Sequence, residues 1–259
     1  MRKNKLALAA LLLIICSSFV LFQKERPVFY IIGDSTVRNG DGRGSNQQWG
    51  WGSFMADHFD TSKIIIRNHA IGGRSSRTFI NEGRWDTILN RLKKGDYVIM
   101  QFGHNDAGPL DDTARARGTI RGIGDESKEI FNPKTNKQEV VHTYGWYMRK
   151  YIQDAKAKGA TPIVCSPIPR NDWKEGKVSR SSESYAKWAR QIAEQEGVAF
   201  IDLNELVAKK YEEMGAETVK PFFPVDHTHT NIDGAKLNAQ IVTDALKGLD
   251  LNGLKPLLK

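Results

Sequence analysis

Val28-Phe29-Tyr30-Ile31-Ile32-Gly33-Asp34-Ser35-Thr36 is the stretch around which the rest of the chain can be ordered. Its first five residues are apolar, rich in β-branched and aromatic types, and too few for a typical helix, which reads as a buried strand. Gly33 permits a sharp turn where the strand stops, and Asp34 and Ser35 follow at once. Open α/β sheets bind ligands outside the carboxyl ends of their strands, where Ser35 would project. Taken alone, Ser35-Thr36 is equally the signature of a helix cap after a strand.

Four further runs read as strands: Lys63 to Asn68, Asp96 to Phe102, Thr161 to Cys165 and Val198 to Asp202. Helical spacing separates them. Trp85, Ile88, Leu89 and Leu92 mark one helix, closed by Gly95. Tyr144, Tyr147, Met148, Tyr151, Ile152 and Ala155 mark another, whose aromatic stripe reads as core packing. Tyr185 to Ala193, Leu203 to Met214 and Leu237 to Leu246 complete the set. No internal repeat is visible. Alternating strands and helices predict an α/β fold, a three-layer α/β/α sandwich around a five-stranded parallel sheet. The loops holding Ser35, His69 to Arg77, Gly103 to Asp106 and Ser166 to Trp173 would then share one sheet edge. Residues 107–141 show little periodicity and contain Pro109 and Pro133. They are expected to form an insertion over the strand ends, carrying function or disorder rather than core.

At 259 residues the chain suits one domain, or less simply two small ones, and 40% hydrophobic with 26% charged residues argues against disorder. Arg2, Lys3 and Lys5 precede an uncharged run from Leu6 to Phe22. This predicts a signal peptide or N-terminal anchor over residues 1–23, leaving 24–259 as the folded domain. Cys16 is a candidate for lipidation, although Ile15 before it fits that poorly. The expected destination is outside the cytoplasm: periplasmic, cell-surface lipoprotein or secreted. Cys165 alone cannot form an internal disulfide and reads as a buried packing residue. Removing the three basic residues of the leader from a net charge of +8 leaves +5, which suits either an acidic partner or simple solubility. No zinc-finger spacing, basic helix or aromatic RNA motif points to nucleic acid. Membrane contact is expected only through the N-terminal anchor or a lipid.

The polar residues of the shared edge suit acyl transfer. Ser35 would be the nucleophile, His229 its base, and Asp226, three residues before His229, the group that orients the imidazole. Candidate oxyanion donors are the Ser35 backbone N–H, Gly73, where a missing side chain allows close approach, and the Asn105 amide. Gly73 could also serve only a tight turn, and Asn105 only a cap. Asp226-His227-Thr228-His229 is also compatible with metal-ligand spacing, with Asp34, Asn105 and Asp106 nearby, which keeps a metal-dependent phosphoesterase open. His104 and His227 read as hydrogen-bonded structural residues. The Gly-x-Ser-x-Gly elbow of α/β-hydrolases is absent.

Gly33-Asp34-Ser35, Asn68 to Ser75 with Gly73, Gly103-His104-Asn105-Asp106 and Asp226-His227-Thr228-His229 together resemble the SGNH (GDSL-type) hydrolases, and among them the rhamnogalacturonan acetylesterases. The likeness covers nearly all of the chain after the leader. It implies a flavodoxin-like sheet, a Ser35, Asp226 and His229 triad, an oxyanion hole of Ser35, Gly73 and Asn105, and no metal or organic cofactor. Gly73 rather than Gly72 is assigned because it precedes Arg74-Ser75. The implied substrate is an acidic acetylated polysaccharide. Arg74, Arg77 and Arg170 could pair with its carboxylates, and Trp51 and Trp173 could stack on its sugars. The same arginines could instead be solvated or pin loops.

Overall fold

In the computed structural model, residues 25–259 apart from 45 and 252 are described, and the expected leader with Cys16 lies outside them. The five expected strands are β1 (Val28–Gly33), β2 (Ile65–Asn68), β3 (Tyr97–Gln101), β6 (Thr161–Cys165) and β9 (Ala199–Ile201). They form one parallel sheet in the order β2-β1-β3-β6-β9. The order reverses direction between β1 and β3, so a crevice opens at their carboxyl ends.

Parallel strands need crossovers, and here helices cover both faces. One face carries α1 (Ser76–Asn81), α2 (Arg84–Leu89), α3 (Tyr144–Ala157) and α4 (Tyr185–Gln195). The other carries α5 (Leu203–Met214), α6 (Ala216–Val219) and α7 (Ile232–Gly248). Alternation along the strands decides which core each residue joins. Phe29, Ile31, Ile99, Ile163 and Cys165 pack with Val207, Ala239 and Val242, whereas Tyr30, Ile32, Val98, Met100 and Val164 pack with Trp85, Tyr151 and Ile192. Each fully buried side chain of this size contributes about 1.5–3 kcal/mol. The α3 stripe is core, as its spacing suggested. Tyr151 stacks on Phe102 at 5.4 Å and donates its hydroxyl to the Ser76 carbonyl at 2.6 Å.

Three expectations need correction. The helix through Trp85 spans only Arg84–Leu89 and stops before Leu92, and a separate short helix, α1, precedes it across Gly83 at φ +70°, which places Arg77 within α1 rather than on a loop. Residues 107–141 are not structureless: β4 (Ser127–Asn132) and β5 (Lys137–His142) form an antiparallel hairpin. Only Ile130 and Val141 of these strands enter the interior as apolar residues, so the hydrophobic pattern was too sparse to read. A second hairpin, β7 (Trp173–Lys174) and β8 (Lys177–Val178), turns on Glu175 and Gly176, both at positive φ.

The insertion is held from inside by Arg77. Its side chain is 0% exposed and donates to Glu139 of β5 at 2.6 Å and to the carbonyls of Leu110 and Gly118, both at 2.8 Å. Glu139 also accepts from Asn81 and Asn132. Burial opposes ionisation of Glu139, but these donors and the Arg77 charge hold its carboxyl below the usual range. Removing one partner of a buried pair strands the other. Arg77→Ala is therefore expected to destabilise the protein by about 3 kcal/mol or more, read as a lower urea midpoint, with Arg77→Lys intermediate.

Candidate active site

The turn after β1 is built by a buried carboxylate. Asp34 Oδ1 accepts the Thr36 N–H at 2.9 Å and the Thr36 hydroxyl at 2.7 Å, and its carbonyl accepts the N–H groups of Val37 and Arg38. Gly33 makes the turn possible by close approach: a Cβ there would lie 2.5 Å from the Gln101 carbonyl oxygen and 2.6 Å from a Val37 methyl. Asp34 Oδ2 faces His104 Nδ1 at 3.1 Å, and His104 Nε2 faces the Ile168 carbonyl at 3.0 Å. Both ring nitrogens are thus engaged, one by the carboxylate and one by the carbonyl. Burial works against the Asp34 charge, but the His104 charge and the hydrogen bonds from His104 and Thr36 outweigh it and lower the pKa.

His229 reaches this turn from the other end of the chain. Its Nε2 lies 2.8 Å from Ser35 Oγ, across a sequence separation of 194 residues. Asp226 Oδ2 faces His229 Nδ1 at 2.7 Å and accepts from Gln48 Nε2 at 3.1 Å, while Oδ1 accepts the backbone N–H of Thr228 and His229 at 2.7 and 2.8 Å. Burial pushes the Asp226 pKa up, yet the His229 side chain and these backbone donors take it down to about 2. An ionised Asp226 can only accept, so Nδ1 carries the hydrogen and Nε2 is left to accept from the Ser35 hydroxyl. The loop is clamped on its far side by Trp49 N–H to the Thr230 carbonyl at 2.7 Å, and by Asn231, whose side chain caps α7.

The candidate oxyanion loop has a feature the sequence did not reveal. Three successive carbonyls each accept one side-chain N–H: Gly72 from Arg74 at 3.0 Å, Gly73 from Arg117 at 3.1 Å, and Arg74 from Asn105 at 2.9 Å. Because the peptide is planar and trans, holding the Gly72 carbonyl also sets the direction of the Gly73 N–H in the same unit. Gly73 has φ +79°, which favours glycine. The loop passes close to the nucleophile, since a Cβ on Gly72 would sit 3.5 Å from the Ser35 Cβ. Asn105 is 8% exposed and spends one of its two amide hydrogens on Arg74, leaving the second for an oxyanion. Ser35, Gly73, Asn105, Asp226 and His229 thus line one edge of the sheet.

The proposed sugar contacts fare unevenly. Trp51 is fully buried and donates its indole N–H to Gln101 at 3.0 Å, so no face is open for stacking; Gln101 in turn donates to Thr36 at 2.6 Å and supports the nucleophile turn. Arg77 is likewise buried and serves the insertion, so neither residue can touch a polysaccharide. Arg74 is occupied by Gly72 and by Glu82 at 3.0 Å. Trp173 is half-buried with its indole N–H on Asn171, and Arg170 is exposed. His227 pairs with Asp172 at 2.7 Å rather than joining His229, and no grouping of three or more His, Cys, Asp or Glu suited to a metal occurs among the described residues. Gln48 and Arg117 were missed because both lie in stretches without periodicity.

Asp106 is a second buried carboxyl behind the site. It accepts from the Ser76 N–H at 3.1 Å and the Ser76 hydroxyl at 2.5 Å. Burial dominates, with a smaller push from the Asp34 charge, and its pKa rises to about 7. Two neighbouring carboxyl groups are thus driven apart, Asp34 kept charged and Asp106 close to neutral.

Residues 31–237 match the GDSL-like Lipase/Acylhydrolase family. A rhamnogalacturonan acetylesterase of Emericella nidulans is 35% identical over 226 residues, covering 86% of each chain. A probable rhamnogalacturonan acetylesterase of Bacillus subtilis, YesY, is 34% identical over 89% of this chain and 97% of its own. Among solved structures, the Bacillus subtilis protein YxiM superposes with a TM-score of 0.70 at 29% identity, over 88% of this chain and 58% of that longer one. An acetylxylan esterase from Geobacillus stearothermophilus shares the fold at a TM-score of 0.57 and 15% identity, over 85% of this chain and 94% of that one.

Two outcomes are expected of this geometry. Arg74→Ala frees the Gly72 carbonyl, whose peptide unit carries the Gly73 N–H, and should lower kcat on a small acetate ester by about tenfold, with KM little changed and part of the loss restored in Arg74→Lys. The Asp106 pKa lies above its unfolded value of about 3.9, so the folded state binds the extra proton and stability falls as pH rises from about 4 to 7. Asp106→Asn should flatten that slope, seen as a Tm varying less with pH across this range than in the parent.

Proposed function

The chain belongs to the GDSL-like lipase/acylhydrolase family, and from that premise we propose a serine esterase that removes acetyl groups from the pectic polysaccharide rhamnogalacturonan. The observation that carries the chemistry is the unbroken line from Asp226 Oδ2 through His229 to Ser35 Oγ, with contacts of 2.7 and 2.8 Å. Ser35 Oγ attacks the acetyl carbonyl while His229 Nε2 takes its proton, and Asp226 stabilises the imidazolium. The tetrahedral oxyanion is met by the N–H groups of Ser35 and Gly73 and by the Asn105 amide. His229 returns the proton to the departing sugar oxygen, leaving acetyl-Ser35. Water, activated by the same imidazole, then releases acetate and restores the hydroxyl.

The substrate class is supported by the rhamnogalacturonan acetylesterases of Emericella nidulans and Bacillus subtilis, similar along most of their length. A backbone rich in galacturonate also suits a basic protein whose Arg170 stands on the loop after β6 and whose Trp173 opens β7 directly beyond it. This reading implies an enzyme that works outside the cytoplasm, in keeping with the basic and then apolar residues 1–23.

Ser35→Ala is expected to lower kcat by roughly 10⁶, and the parent should release acetate faster from acetylated rhamnogalacturonan than from acetylated xylan. Near-parental activity in the variant would remove the mechanism. Faster release from xylan would remove the substrate.

A further inference from the structure

Beside the catalytic turn lies a cavity of about 270 Å³, lined in part by Gly103, His104 and Ala107 from the end of β3 and by Ile168 and Arg170 after β6. His104 joins it to the nucleophile, since the same ring contacts Asp34, the residue before Ser35. The volume is just below the range of ligand sites, about 300–1,000 Å³, and suits one sugar ring rather than an oligosaccharide.

Its charges are not equivalent. Arg180 is saturated by Glu205 and Glu212, and Asp172 is matched by His227. Arg170 has no hydrogen-bond or ion-pair partner among the described residues. Arg121, contributed by the insertion, rests on the Trp188 ring at 5.4 Å and has no carboxylate among the described residues. Cation–π contact orients a guanidinium without using its in-plane N–H donors. Two arginines thus line a polar hollow, joined through His104 to the turn that holds Ser35, with donors to spare, and the hydroxyl-bearing Ser181 and Ser184 line the same cavity.

Resting on the acetylesterase reading above, we infer that this cavity is a subsite for an anionic sugar, in which Arg121 and Arg170 hold the carboxylate of a uronate neighbouring the acetylated ring. The arginine fork matches a carboxylate in two parallel hydrogen bonds, and the serine hydroxyls can take sugar hydroxyls. The insertion would then act in specificity, bringing Arg121 to a wall that the sheet loops leave open.

Two measurements test this. The first is the ratio of kcat/KM on an acetylated rhamnogalacturonan oligosaccharide with free carboxylates to that on the same oligosaccharide with its carboxyls methyl-esterified. The parent should prefer the free acid by about tenfold or more, the scale of a lost charged hydrogen bond. In Arg121→Ala and in Arg170→Ala the ratio should fall towards one. A parental ratio in both variants overturns the subsite. The second reads binding without turnover: the inert Ser35→Ala protein is titrated with oligogalacturonate by calorimetry. Adding Arg121→Ala should weaken binding about tenfold or more, and equal affinity overturns the subsite. Acetate release discriminates the two readings: a parent that leaves both oligosaccharides acetylated refutes the pectic substrate, while the titration still decides the subsite.

Discussion

A charge without water around it has to be neutralised by its neighbours, and Asp34 is such a charge. Its two oxygens are committed to Thr36 and His104, and the other nitrogen of His104 meets the carbonyl of Ile168. One carboxylate therefore ties together the chain ends leaving β1, β3 and β6. The position of Ser35 depends on that tie, because the serine follows Asp34 directly and has no strand pairing of its own. Gln101 reinforces it from the side, linking Thr36 to the buried indole of Trp51.

The arrangement of the candidate oxyanion donors follows a different rule. Backbone N–H groups cannot be aimed by rotamers, so the loop is set through its carbonyls. Arg74, Arg117 and Asn105 each take one of three successive oxygens, and the peptide planes follow. Such fixed donors stabilise developing charge without reorganising during the reaction. Arg117 comes from the insertion, as does Arg121. A segment that adds little to either apolar core thus supplies cations on two sides of the site, and the buried Arg77 to Glu139 pair keeps it in place.

Buried carboxyl groups close to one another cannot all stay charged. Asp34 has His104 and retains its charge; Asp106, whose burial outweighs the hydrogen bonds from Ser76 and Gly103, shifts towards neutrality. Asp226, nearer the surface, is stabilised by four donors and remains an anion, which is what an orienting group for His229 requires. The same residue type thus takes two charge states within one region, each set by its immediate partners.

The sheet was legible in the sequence because a parallel strand buried on both faces is written as a short apolar run, and the five runs near Val28, Ile65, Val98, Ile163 and Phe200 say so without help. The convergence of Ser35, Gly73 and Asn105 was also legible, since parallel strands deliver their following loops to one edge; Asp226 and His229 follow no strand, and only their chemistry and the family resemblance pointed to the same place. Hydrophobic pattern was silent where burial is achieved by polar means. Arg77 looks like a surface arginine and is wholly enclosed; Trp51 looks like a sugar platform and is core; the β4–β5 hairpin has almost no apolar face to announce it. Local sequence thus determined which segments are strands and which residues stand at their ends. Tertiary structure alone decided which polar side chains are enclosed, which carboxyls keep their charge and which arginines remain open to a ligand, because those depend on neighbours far away along the chain and not on the residue itself.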